Sequence, residues 1–191
     1  MATQVSQRIG IWIIAVVLTA GTLGSFLVMA LSVQNESIDT AAQMKEYQEQ
    51  QKQAAQLNAD NSEALDGYSA RKFDAAKATK LKVEVIKQGT GDKIKSTDSI
   101  NSSYFGWLSD GTIFDSSNKK DSEDSPITFS LGGVITGWTE GLTGVKVGSV
   151  VRLTIPADKG YGASGSGIIP ANAPMEFIVE IHKIDNSSTS S

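Results

Sequence analysis

From Leu81 to Ile184 apolar and polar residues alternate in five short runs, the pattern of strands that bury one face. In the first, Leu81, Val83 and Val85 alternate with Lys82, Glu84 and Ile86 until Gly89-Thr-Gly-Asp92 interrupts it. Further runs fall at Ile100 to Leu108, Ile127 to Leu131, Val147 to Ile155 and Met175 to Ile184, with turn formers such as Ser109-Asp110-Gly111 between them. Val151, Leu153 and Ile155 face one way and Arg152 and Thr154 the other, as in an antiparallel strand with one wet face. Between the third and fourth runs, Trp138 and Leu142 stand four residues apart, which predicts a short helix over residues 136–143 laying one apolar side on the sheet. The fold class that follows is α+β: an antiparallel β-sheet curled over one short α-helix, occupying residues 78–185 and followed by a polar tail, 186–191.

A different pattern precedes it. No charged residue occurs from Ile9 to Asn35, a run long enough to cross a bilayer core at ~1.5 Å per residue. Residues 9–33 are therefore expected to form a transmembrane anchor. Arg8 before the span and Glu36 and Asp39 after it predict a cytoplasmic N-terminus, residues 1–8, with everything beyond the span extracytoplasmic. The alternative is a cleaved signal peptide and a secreted protein, with Ala30-Leu31-Ser32 as the small-residue cleavage site. Residues 34–77 read as a helical stalk and linker: good helix formers with a glutamine-rich surface as far as Asn58, then turn formers, alanine and lysine around a short packed piece at Tyr68 and Phe73.

Composition narrows the chemistry. The 191 residues contain no cysteine and a single histidine, His182, so thiol catalysis, thiolate metal sites and a histidine-based serine triad are all excluded. His182 lies out of phase with Phe177, Val179 and Ile181 and should be exposed. Residues 80–183 carry 11 basic and 12 acidic side chains, interspersed, so no basic stripe exists to track phosphates and no nucleic-acid partner is expected. Gly160-Tyr-Gly162-Ala-Ser-Gly165 matches a dinucleotide fingerprint literally, but Gly165-Ser-Gly167-Ile-Ile-Pro170 cannot open the helix that such a site needs. Asp121, Glu123 and Asp124 lack the glycine and terminal glutamate of a calcium loop and read as a solvated loop. No metal or cofactor is expected. Singly, Asp115 reads as a turn carboxylate, Trp138 as plain core, and Tyr104 and Tyr161 as packing residues whose hydroxyls find partners.

Taken in order, the residues say more. Tyr104-x-Gly106, Asp110-Gly111-Thr-Ile-Phe114-Asp115-Ser116-Ser117, Val134-Ile135-x-Gly137-Trp138-x-Glu140-Gly141-Leu142, Leu153-x-Ile155-Pro156, Tyr161-Gly162-Ala163, Ile168-Ile169-Pro170 and Phe177-x-Val179-Glu180 form a series that resembles the FKBP-type peptidyl-prolyl cis-trans isomerases, the macrolide-binding immunophilins. The resemblance spans about residues 78 to 185. It implies an FKBP-like fold and a prolyl isomerase with no cofactor, its substrates proline-containing polypeptides and its inhibitors macrolides. It also implies an active site of Tyr104, Phe114, Asp115, Trp138, Tyr161 and Phe177, with Trp138 as floor, and a substrate-binding set of Ile127, Val134, Ile135, Ile168 and Ile169. The Ile135 N–H and the Tyr161 hydroxyl would bind ligand carbonyls, and Asp115 would supply a polar contact at the edge. After the Asp-Ser-Ser segment the chain departs from the family: the loop from Asn118 to Ser125 is longer and has no arginine. The alternative from another functional class is a catalytically weak FKBP-like binding or holdase module tethered to the membrane.

Overall fold

The computed structural model describes residues 40–122 and 124–185. The segment 9–33, expected to be a membrane anchor, lies outside them; among the described residues no helix is long and apolar enough to cross a membrane. The chain divides into two compact units, residues 1–55 and 56–191. Helix α1, Thr40–Asp60, contributes its exposed residues 43–50 to the first unit and its last turn to the second.

The second unit is built on one six-stranded antiparallel sheet. Its strands are β1 (Lys82–Lys87), β2 (Ser99–Leu108), β3 (Ile113–Ser116), β4 (Ile127–Ser130), β5 (Val150–Ile155) and β6 (Met175–Ile184), in the order β1-β5-β6-β2-β3. Strand β2 is long enough to serve two partners along one edge: β4 pairs with Ser99–Ser102 and β3 with Phe105–Trp107, while β6 runs along the other edge. The concave face holds the main core. Ile100 and Tyr104 of β2, Val151, Leu153 and Ile155 of β5, and Phe177, Val179 and Ile181 of β6 meet Trp138 and Leu142 of the short helix α2, Thr136–Leu142. The two-residue period of the strands selects these positions, since every second side chain points to the same face.

Helix α2 lies almost flush on the sheet, which Gly137 permits. A Cβ there would come within 2.4 Å of Ile155 Cγ2. The helix has no side-chain N-cap, because Ile135 occupies that position; instead Thr139 Oγ1 donates to the Leu131 carbonyl at 2.6 Å and ties the helix to the loop before it.

The convex face is also covered. Phe105 and Trp107 stack at 5.0 Å on that side of β2 and pack with Val150, Ile178 and Leu65; Ala64, Tyr68, Ala70 and Phe73 close over them. Trp107 Nε1 donates to the Arg71 carbonyl at 2.9 Å, and Phe73 N to the Ser109 carbonyl at 3.0 Å. The short packed piece expected around Tyr68 and Phe73 is thus a lid on the back of the sheet. Strand β1 departs from the alternation: all six residues are exposed, Val83, Val85 and Ile86 among them, since β1 is an edge strand with β5 as its one neighbour.

Candidate active site

Aromatic rings converge at one end of the concave face, each delivered by a different element. Tyr104 comes from β2, Phe114 from β3, Phe129 from β4, Trp138 from α2 and Phe177 from β6. Trp138 is the hub: its ring centroid lies 5.3 Å from Tyr104, 5.3 Å from Phe129 and 5.4 Å from Phe177, at interplanar angles of 87°, 71° and 84°. Phe114 meets Phe177 edge-on at 5.5 Å and Tyr104 meets Phe129 at 5.3 Å. Edge-to-face pairs of this kind contribute ~0.5–1.5 kcal/mol each beyond simple burial, so the rings hold each other in orientation. The close approach of β2 to two of them requires Gly106, where a Cβ would sit 2.5 Å from Phe177 and 2.6 Å from Phe114.

Around the buried rings stands a partly exposed apolar rim. Ile127, Val134, Ile135, Tyr161 and Ile168 all pack against the cluster while remaining partly accessible, and Ile169 is buried in it. Two reciprocal hydrogen bonds, Ser166 N to the Ile169 carbonyl at 3.0 Å and Ile169 N to the Ser166 carbonyl at 2.8 Å, close the turn that presents Ile168 and Ile169. The apolar and aromatic residues named from the sequence for this site therefore all belong to, or pack against, the core cluster that contains these rings. Sequence reasoning missed Phe129, although its spacing from Ile127 in β4 puts both side chains on one face of that strand.

The polar groups are of two kinds. Asp115 is held: its Oδ2 accepts from the Tyr104 hydroxyl at 2.5 Å and its Oδ1 from Asn58 Nδ2 at 2.9 Å and its own neighbour Ser116 N at 2.9 Å, with Lys119 Nζ at 3.3 Å. Lys119 supplies the cation in the loop where the arginine is absent. By contrast, among the described residues the Ile135 N–H and the Tyr161 hydroxyl donate to no protein group, and the buried Trp138 Nε1 has no partner. A buried donor left unpaired costs about 1–3 kcal/mol, and cores rarely retain one without a use.

Burial sets the protonation of the site. The Tyr104 hydroxyl is pushed well above the ordinary tyrosine range, first by burial and then by the Asp115 carboxylate. The Tyr161 hydroxyl is pushed up to about 12 by the same two causes in the same order. Burial lowers the Lys119 ammonium, outweighing the pull of Asp115 in the other direction. Both tyrosines are thus neutral donors at physiological pH. Among the described residues no group of three or more His, Asp or Glu side chains could hold a metal ion.

The acidic loop expected to be merely solvated has a structural tie. Asp124 accepts hydrogen bonds from Ser103 and, at 2.7 Å, from Ser117, and the exposed His182 reaches Ser103 Oγ through Nε2 at 2.8 Å. Serine hydroxyls on β2 and after β3 draw the loop's carboxylate onto the sheet, and the isolated acidic residues gave no sign of those partners.

Residues 91–182 match the family model for FKBP-type peptidyl-prolyl cis-trans isomerases. An FK506-binding protein of Neisseria meningitidis is 42% identical over 105 residues, which are 54% of this chain and 95% of that protein. The FKBP-type peptidyl-prolyl cis-trans isomerase FkpA of Aeromonas hydrophila is 44% identical over 116 residues, 60% of this chain and 42% of the relative. FkpA of Escherichia coli is 36% identical over 131 residues, 69% of this chain and 47% of the relative. A solved structure, the peptidyl-prolyl cis-trans isomerase of Pseudomonas syringae, superimposes with a TM-score of 0.50 at 28% identity, covering 79% of this chain and 99% of that one. The chain belongs to the FKBP-type peptidyl-prolyl cis-trans isomerase family. It spans less than half the length of the FkpA relatives it matches.

Proposed function

We propose that this protein is a peptidyl-prolyl cis-trans isomerase, held to a membrane by residues 9–33, that speeds the folding of extracytoplasmic polypeptides. The observation that carries the activity is a buried aromatic cluster against which Ile135 and Tyr161 pack, the Ile135 N–H and Tyr161 O–H having no protein partner among the described residues. Rotation about an X-Pro amide meets a barrier of ~18–20 kcal/mol because resonance flattens the bond. In the twisted transition state that resonance is lost. A prolyl ring seated on Trp138 between Tyr104, Phe114 and Phe177 is removed from water, and the rim donors hold the flanking carbonyls while the amide turns. No acid, base or nucleophile is needed. The name of the Neisseria relative supports macrolides as inhibitors that occupy the same floor.

The reading is tested with X-Pro peptides varied in the residue before proline. Uncatalysed isomerisation takes roughly 10–100 s, so acceleration is read directly. Acceleration by the wild-type chain that is lost in the Trp138→Ala variant is the expected result. A folded chain that leaves the rate unchanged turns the reading to a binding module. The anchor is checked separately: the full chain should remain in membranes after a carbonate wash, and release of a form beginning near residue 33 would show signal cleavage instead.

A further inference from the structure

Asp115 is fixed from outside the segment that matches the family model. That segment is residues 91–182, yet two of the groups that surround this carboxylate, Asn58 and Ser62, lie about thirty residues upstream, in the last turn of α1 and just after it. Backbone bonds dock this stretch onto the loop after β3: Ser62 pairs with Lys119 in an isolated bridge, with Glu63 N donating to the Asn118 carbonyl at 3.0 Å and Lys120 N to the Asn61 carbonyl at 2.9 Å. The Lys119 ammonium then spends its three donors on Asn58 Oδ1 at 2.8 Å, Ser62 Oγ at 2.9 Å and Asp115 Oδ1 at 3.3 Å. The Asn58 amide uses both ends, Oδ1 toward the lysine and Nδ2 toward Asp115, and the opposite orientation would set carbonyl against carboxylate and amide against ammonium. Ser62 Oγ in turn donates to the Asn58 carbonyl at 2.8 Å.

We propose that Asn58, supported by Ser62 and Lys119, is a positioning residue for the isomerase site: it fixes the Asp115 carboxylate, and through it the Tyr104 hydroxyl, at the rim of the aromatic floor. The inference rests on the isomerase reading for its kinetic consequence. Without the amide, Oδ1 keeps only the adjacent Ser116 N–H and a longer contact to a lysine that has itself lost a partner, so the carboxylate is held less firmly about its bond to the Tyr104 hydroxyl. Residues upstream of the segment that matches the family model are, on this account, part of the working site.

The test is a double-mutant cycle in the full chain, with X-Pro isomerisation as readout: wild type, Asn58→Ala, Asp115→Asn and the pair together. Asn58→Ala is expected to lower kcat/KM about 10-fold or more, the loss falling on kcat more than on KM, as for a hydrogen bond to a charged group. In the Asp115→Asn background the same change should alter kcat/KM by less than about twofold, because a residue that acts through Asp115 has nothing left to position. Equal losses in both backgrounds, an unaffected Asn58→Ala, or an unaffected Asp115→Asn would each overturn the proposal. If Asn58→Ala fails to fold, the lysine decides: Lys119→Met should lose activity and Lys119→Arg retain it, and equal activity in the two would overturn it. A folded wild type without isomerase activity would remove the isomerase reading alone. The same cycle is then read on the Kd of an X-Pro peptide by tryptophan fluorescence, where additivity overturns the positioning role and non-additivity sustains it.

Discussion

Tyr161 shows how a single side chain does two jobs that the structure can separate. Its ring packs against the core and its hydroxyl has no protein partner among the described residues, so Tyr161→Phe keeps the packing and removes only the donor. This variant should retain its Tm and lose about 5- to 10-fold in kcat/KM, the size expected for one hydrogen bond made to substrate, as measured by peptide isomerisation beside thermal unfolding. Its titration gives a second readout. A tyrosine ionises near pH 10 in the unfolded chain and, for Tyr161, at about 12 in the folded one. Below pH 10 both states hold the proton and stability does not depend on this group; between about pH 10 and 12 the unfolded state loses it first, so stability falls as pH rises. Denaturant titrations across that window should show a smaller fall for Tyr161→Phe than for the wild type.

At the scale of elements, the site depends on how closely β2 can approach the rings of its neighbours. Phe114 lies in β3 and Phe177 in β6, on opposite sides of β2, and they touch each other because Gly106 between them has no side chain. Gly106→Ala is therefore expected to push both rings apart, at a cost of about 1–3 kcal/mol in stability and with a larger fall in activity than the stability loss alone would give. Urea denaturation and kcat/KM on the same preparation check this, and unchanged activity would mean that the contact between Phe114 and Phe177 is dispensable. The sequence announced Tyr104-x-Gly106 as a motif, but the reason for the glycine is spatial. Only strand pairing puts two phenyl rings over that backbone position.

At the scale of the whole molecule, the sheet has two covered faces, and the second cover comes from the stretch between α1 and β1. Leu65, Tyr68 and Phe73 shield Phe105 and Trp107. A chain beginning at Lys80 should be less stable than one beginning at Gln56 by about 3–9 kcal/mol, two or three large apolar side chains at ~1.5–3 kcal/mol each, measured by denaturant unfolding. Equal stabilities would show that the back face tolerates solvent. The shorter chain also lacks Asn58 and Ser62, so the cover and the hydrogen bonds to Asp115 arrive on one continuous segment.

Local pattern by itself determined every strand but the short β3, together with the helix around Trp138 and Leu142 and the ordered series that marks the family, because periodicity and motif spacing are properties of neighbours along the chain. The sequence likewise named the residues of the aromatic cluster other than Phe129, and the apolar residues that pack around it, since their order is that of the family. Tertiary structure alone decided what those residues touch. Lys119 looked like one charge in a polar loop until the fold set it between Asn58 and Asp115, residues 61 and 4 positions away. Asp124 gave no sign of the hydrogen bonds that Ser103 and Ser117 make to it, and Val83 and Val85 looked like one buried face until β1 proved to be an edge. Hydrogen-bond partners far apart in sequence, and the number of neighbours a strand acquires, are fixed by the folded topology, so no local pattern records them.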